Sequence, residues 1–112
     1  MSSPLSPIVV LDSGLGGLTV AYTALQKALA GKPRPRLDGF TPEQRFFLSY
    51  ARLWRQLVRP EESVRRINTD PHSPGEWRVR GPLANMSEFG QAFGCGDSDR
   101  MMQPVEERAA IW

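Results

Sequence analysis

The chain has 112 residues, enough for one domain with a thin core. Fourteen basic and twelve acidic residues leave a net charge of +2, which makes no nucleic-acid footprint despite a pI near 9.1. One cysteine, Cys95, excludes an intrachain disulfide, and with one histidine, His72, neither H-E-x-x-H nor a Cys-x-x-Cys zinc site can be written.

Residues 1–7 hold two prolines and three serines and predict a disordered start. Ile8-Val-Val-Leu11 reads as a short buried strand, followed by the turn Asp12-Ser13-Gly14. Gly16-Gly17 opens a helix over about 18–30 whose apolar face is Leu18, Ala21, Leu25, Ala28 and Leu29. Gly31 stands where a helix-ending glycine belongs, and Lys32-Pro-Arg-Pro-Arg36 reads as an extended linker.

The clearest helix start is Thr41-Pro42 with Gln44, a capping box with proline in the first turn. This helix is expected to reach about Val58 and to bury Phe47, Tyr50, Ala51, Trp54, Leu57 and Val58. Pro60 begins a short helix to about Asn68, with Glu61 and Glu62 at its positive end and Val64 and Ile67 facing inward.

Residues 69–76 are a loop restricted by two prolines and a glycine. Trp77-Arg-Val-Arg80 alternates weakly, as an edge strand does. Asn85 with Glu88 reads as a second capping box, opening a helix to about Phe93 that Gly94-Cys95-Gly96 ends. The closing Ile111-Trp112 reads as an apolar anchor. The expected fold is mainly α, with three to four helices and a loop-rich C-terminal half. No apolar run approaches 18 residues, so no membrane-spanning helix is expected, and the start lacks the pattern of a signal peptide. Location stays open.

From Leu15 onward the chain resembles the C-terminal segment of neprilysin-like zinc metallopeptidases. The stretches that carry the likeness are Leu15-Gly-Gly-Leu18, Thr41-Pro-Glu-Gln-Arg-Phe-Phe-Leu48, Arg59-Pro-Glu61, Asn68-Thr-Asp-Pro-His-Ser-Pro-Gly75, Gly81-Pro-Leu83 with Asn85, Glu88-Phe89, Ala92-Phe-Gly-Cys95 and Trp112. On this reading residues 1–14 are a divergent or disordered N-terminus. Residues 15–112 are the C-terminal portion of a peptidase catalytic domain, one part of a larger catalytic lobe.

The resemblance implies roles for three residues. His72 stabilises the oxyanion of a tetrahedral intermediate, Asp70 supports His72, and Arg78 binds a carbonyl of a peptide substrate. The chemistry is consistent, because a fixed donor stabilises charge on an attacked carbonyl oxygen, and a nearby carboxylate can set the tautomer of an imidazole. Asp70 also suits a turn before Pro71, and both roles can hold together.

The resemblance equally implies what the chain does not supply. The family's H-E-x-x-H gives two zinc ligands and the general base, and its third ligand is a glutamate that aligns with Val10. The expectation is therefore a chain that binds no zinc or other cofactor alone, although zinc serves the parent family. Its expected partners are a peptide substrate at the family level and the N-terminal part of the peptidase, with no nucleic acid and no membrane segment. The alternative is a non-catalytic truncated product or a small interaction module, in which His72 is an inert loop imidazole and Arg78 a solvated edge-strand arginine. Residues 6–20 also look like the start of glutamate racemases, whose chemistry needs two cysteines where this chain has one.

Overall fold

In the computed structural model, which describes residues 14–70 and 72–109, the Thr41 signal works as its chemistry requires. The Gln44 amide donates to Thr41 Oγ1 at 3.1 Å, and the Thr41 amide donates to Gln44 Oε1 at 3.0 Å. Two amides that a helix start leaves unpaired are thereby satisfied. Gln44 Nε2 also donates to the Ala92 carbonyl at 2.9 Å, so the cap ties two helices together.

Five helices stand among the described residues: α1 (Leu15–Leu29), α2 (Pro42–Leu53), α3 (Pro60–Thr69), α4 (Gly75–Ala84) and α5 (Ser87–Phe93). A single 3-10 turn follows at Val105–Glu107. The chain is mainly α, as the sequence predicts, but the expected count of three to four helices is wrong. The additional helix is α4, which occupies the stretch read as an edge strand. Among the described residues the only β pairing is an isolated bridge between Leu37 and Phe40. The expected strand at 8–11, the residues Asp12 and Ser13 and the anchor Ile111-Trp112 lie outside the described residues.

Phe47 is the centre of the core, at 1% exposure. Its ring stacks on Tyr22 at 5.3 Å and meets Phe46 and Phe89 edge-on at 5.2 and 5.5 Å. Such aromatic pairs are worth about 0.5–1.5 kcal/mol each beyond the area they bury. Leu15 and Leu18 of α1, Leu83 of α4, Met86, Phe89 and Met102 complete the cluster. Helix α2 packs on α5, α1 on α4, and α4 on α5.

Helix α2 ends at Leu53, five residues short of the expected Val58. Trp54 caps it, and 55–59 run on without helical structure to Pro60, whose ring disfavours helix at the residue before it. Leu57, assigned to the buried face, is fully exposed. Val64 and Ile67 of α3 are 59% and 69% exposed, and α3 buries no residue. Charged pairs run along its exposed face: Arg65 and Arg66 both donate to Glu62, and those hydrogen bonds draw the Glu62 carboxyl down to about 2.

Asn85 does not cap α5. The cap position is Met86, without a side-chain bond. Asn85 is buried, donating to the Gly81 carbonyl at 2.8 Å and accepting from the Ala109 amide at 2.7 Å. It therefore pins the tail to the end of α4. Arg108 adds a second strap, reaching the Gln103 carbonyl, Ser87 Oγ and Asp97 Oδ1.

Candidate functional site

The cleft that holds His72 is built where three segments meet: the extended run after α2, the end of α3 and the start of α4. It encloses about 560 Å³, and its walls include Trp54, Arg66, Asp70, His72, Ser73 and Arg78. All three residues singled out from the sequence, His72, Asp70 and Arg78, thus line one cavity.

Asp70 caps the C-terminus of α3, its amide bonded to the Arg66 carbonyl at 2.8 Å. Its carboxylate Oδ1 accepts from the His72 amide at 2.9 Å and lies 2.9 Å from His72 Nδ1. One oxygen therefore closes the turn and contacts the imidazole at the same time. The amide bond first, and the imidazole next, hold the Asp70 carboxyl below its ordinary value, with the Arg66 charge adding to the effect. Both side chains stay solvent-accessible, at 56% for His72 and 46% for Asp70.

Arg78 is placed quite differently. It sits near the start of α4, half-buried, with its guanidinium 4.1 Å from the centre of the Trp54 ring. Arg78 Nε is buried with no acceptor among the described residues. Its carbonyl is held too. Pro82, four residues on, has no N–H to give that carbonyl, and Tyr50 Oη donates to it at 2.7 Å. Burial raises the Tyr50 hydroxyl above its ordinary value, so the donor keeps its proton at neutral pH.

Gly75 permits this assembly. A Cβ there would lie 2.9 Å from the Trp54 carbonyl oxygen and 3.2 Å from the Gln56 side chain. The α4 backbone therefore passes directly over the end of α2, which places Trp54 against Arg78. Sequence reasoning missed Trp54, Tyr50 and Gly75 as parts of this site. Trp54 and Tyr50 were legible only as core positions on a helical period, and nothing local tells that α4 crosses there.

Zinc does not fit these residues. No group of three or more His, Cys, Asp or Glu side chains able to hold a metal occurs among the described residues, and Asp70 and His72 supply only two donors, already engaged with each other. Cys95 is a free, half-buried thiol packed on the core. No helix among the described residues is long and apolar enough to cross a membrane.

The cleft sets an imidazole held by Asp70 beside a guanidinium stacked on Trp54, with no group able to hold a metal among the described residues. A model of peptidase family M13 matches residues 12–109, and the chain belongs to that family, the neprilysin-like metallopeptidases. It is 40% identical over 100 residues to neprilysin-2 of Caenorhabditis elegans and 41% identical over 101 residues to human neprilysin. Each match covers 87% of this chain but 13% of the relative, so the chain spans a small part of those proteins. Its fold superposes on the zinc metalloprotease ZMP1 of Mycobacterium tuberculosis, solved in complex with an inhibitor, with a TM-score of 0.83 at 42% identity. That match covers 88% of this chain and 15% of the other.

Proposed function

We propose that this chain is the C-terminal part of a zinc-dependent metalloendopeptidase of oligopeptides, supplying the oxyanion-stabilising and substrate-holding side of the site. The observation that carries the reading is the Asp70–His72 pair at 2.9 Å in the same cleft as Arg78. With Asp70 engaged at Nδ1, Nε2 is the ring nitrogen left for substrate, and in the imidazolium form it donates to an oxygen gaining negative charge. Arg78 lines the same cleft, and the Trp54 stack holds its guanidinium plane in position for a peptide carbonyl.

These residues furnish neither zinc ligands nor a general base, so the chain is inactive alone and works with the part of a peptidase that carries them. The test is zinc content after purification from zinc-supplemented medium, with cleavage of a quenched oligopeptide assayed on the same sample. The expected result is no stoichiometric zinc and no chelator-sensitive cleavage. Tightly bound zinc with cleavage abolished by His72→Ala overturns the reading and requires a metal site shared between chains.

A second reading, a non-catalytic interaction module, is favoured by the exposed apolar side chains Leu57, Val64 and Ile67. Self-association that His72→Ala leaves unchanged and Leu57→Ser abolishes is the result that supports it.

A further inference from the structure

The turn that precedes α2 is rigid, exposed and unused by the site described above. Leu37 and Phe40 exchange two backbone hydrogen bonds of 3.0 Å each. Asp38 and Gly39 between them both have positive φ, 53° and 82°, the geometry of a tight hairpin turn. Arg36 donates to the Gly39 carbonyl at 3.1 Å, and Arg45 donates to the Phe40 carbonyl at 2.6 Å. These hydrogen bonds hold in place two large apolar side chains that stay 54% (Leu37) and 40% (Phe40) exposed.

Those side chains form one end of a groove of about 790 Å³ between the turn, α2 and α4. Its α2 wall runs Arg45, Leu48, Arg52, one stripe at helical spacing, and continues to Arg55. Leu48 adds a third exposed apolar side chain at 38%. The charges are unbalanced along the groove. Arg80 is paired with Glu76 at 2.9 Å, and Arg45 is spent on carbonyls of the turn. Arg52 and Arg55 have no acidic partner among the described residues, and the one unpaired carboxylate, Asp38, lies at the turn end.

We infer that this groove docks an acidic peptide segment of a protein partner, with apolar side chains seated on Leu37, Phe40 and Leu48 and carboxylates set against Arg52 and Arg55. The charge asymmetry sets the sign of the ligand and places its acidic part at the Arg52 and Arg55 end. The bonded turn means that the apolar end is formed before the ligand arrives, which lowers the entropy lost on binding. An extended peptide can lie along the groove between the turn, α2 and α4, with its side chains set on the apolar and the basic groups.

The test is fluorescence anisotropy of a dye-labelled peptide carrying two leucines followed by three glutamates, titrated with the intact chain. A second peptide has lysines in place of the glutamates. The glutamate peptide binds and the lysine peptide does not, and added salt weakens the complex. Arg52→Glu combined with Arg55→Glu weakens binding by about tenfold or more, as charge reversal at an interface does. Circular dichroism reports whether that variant is folded, and Arg52→Gln with Arg55→Gln replaces it if it is not. His72→Ala leaves the affinity unchanged. Equal binding of the two peptides, unaltered affinity in the arginine variants, or loss of binding in His72→Ala overturns the inference. Binding to phosphatidylserine vesicles without binding of the peptide overturns it as well and assigns the face to a membrane.

Discussion

Tyr50 donates its hydroxyl to the carbonyl of Arg78 at 2.7 Å, the acceptor that Pro82 leaves without a helical donor. A proline inside a helix usually costs stability by removing one backbone bond and crowding the carbonyl four residues back. Here a side chain from another helix makes the bond, and the residue so braced is the one that binds substrate in the proposed site. Tyr50→Phe is expected to destabilise the fold by about 1–3 kcal/mol, the cost of a carbonyl left unpaired. In a Pro82→Ala background, where position 82 regains an N–H, that penalty shrinks by about 1 kcal/mol. Thermal melts of the four proteins measure the coupling. The Tyr50 hydroxyl titrates above its ordinary value because burial disfavours the phenolate. Its contribution is therefore complete below about pH 10 and is lost as pH rises through the raised value.

Asp70 acts in the opposite pH range. Its carboxyl is depressed by the His72 amide and imidazole, so the pair contributes above the ordinary aspartate value and fades as pH falls through the lowered one. Asp70→Asn frees the imidazole from its fixed orientation while keeping a side chain that can close the turn. Nitrogen NMR of the His72 ring is expected to show the Nδ1–H tautomer favoured in the parent and lost in the variant, with little change in melting temperature.

The aromatic centre dominates stability. Phe47→Ala removes a fully buried ring that touches Tyr22, Phe46 and Phe89, and is expected to cost about 3–5 kcal/mol. For a thin-cored chain that is a large part of the total. Urea unfolding is expected to show the variant largely unfolded at room temperature.

Two glycines separate backbone freedom from close approach. Gly17 lies inside α1, and a methyl group added to its Cα would meet nothing within 4 Å, so Gly17→Ala is expected to stabilise by about 0.5–1 kcal/mol. Gly75→Ala places a methyl 2.9 Å from the Trp54 carbonyl and is expected to cost about 1–3 kcal/mol. It also shifts Trp54 relative to Arg78, so indole fluorescence changes in Gly75→Ala and not in Gly17→Ala.

Much of this arrangement is legible in the sequence. The Thr41–Gln44 box, the Pro60 start and the helix-ending glycines Gly31 and Gly94 are local chemistry, and each stands where its residues indicate. The three site residues are reached through family likeness, and the fold gathers them in one cleft. What the sequence misplaces depends on distant partners. Helix α4 is hidden by a weak alternation at 77–80 and by Pro82, whose cost is offset by Tyr50, 32 positions earlier in the chain. Asn85 has the pattern of a cap, yet its side chain serves the tail at Ala109. The period through Leu57 and Val58 outlasts α2 because periodicity cannot see the α4 backbone crossing at Trp54.

In the proposed function His72 acts on substrate within a metallopeptidase site completed by other residues of the family fold. Its most direct test is a chimera in which residues 15–109 replace the matching segment of a family M13 relative, assayed for chelator-sensitive cleavage of a quenched oligopeptide. The chimera is expected to be active, with a kcat that falls by about 10²–10³ on His72→Ala, the loss typical of removing one oxyanion donor. An active chimera with unchanged kcat after His72→Ala contradicts it.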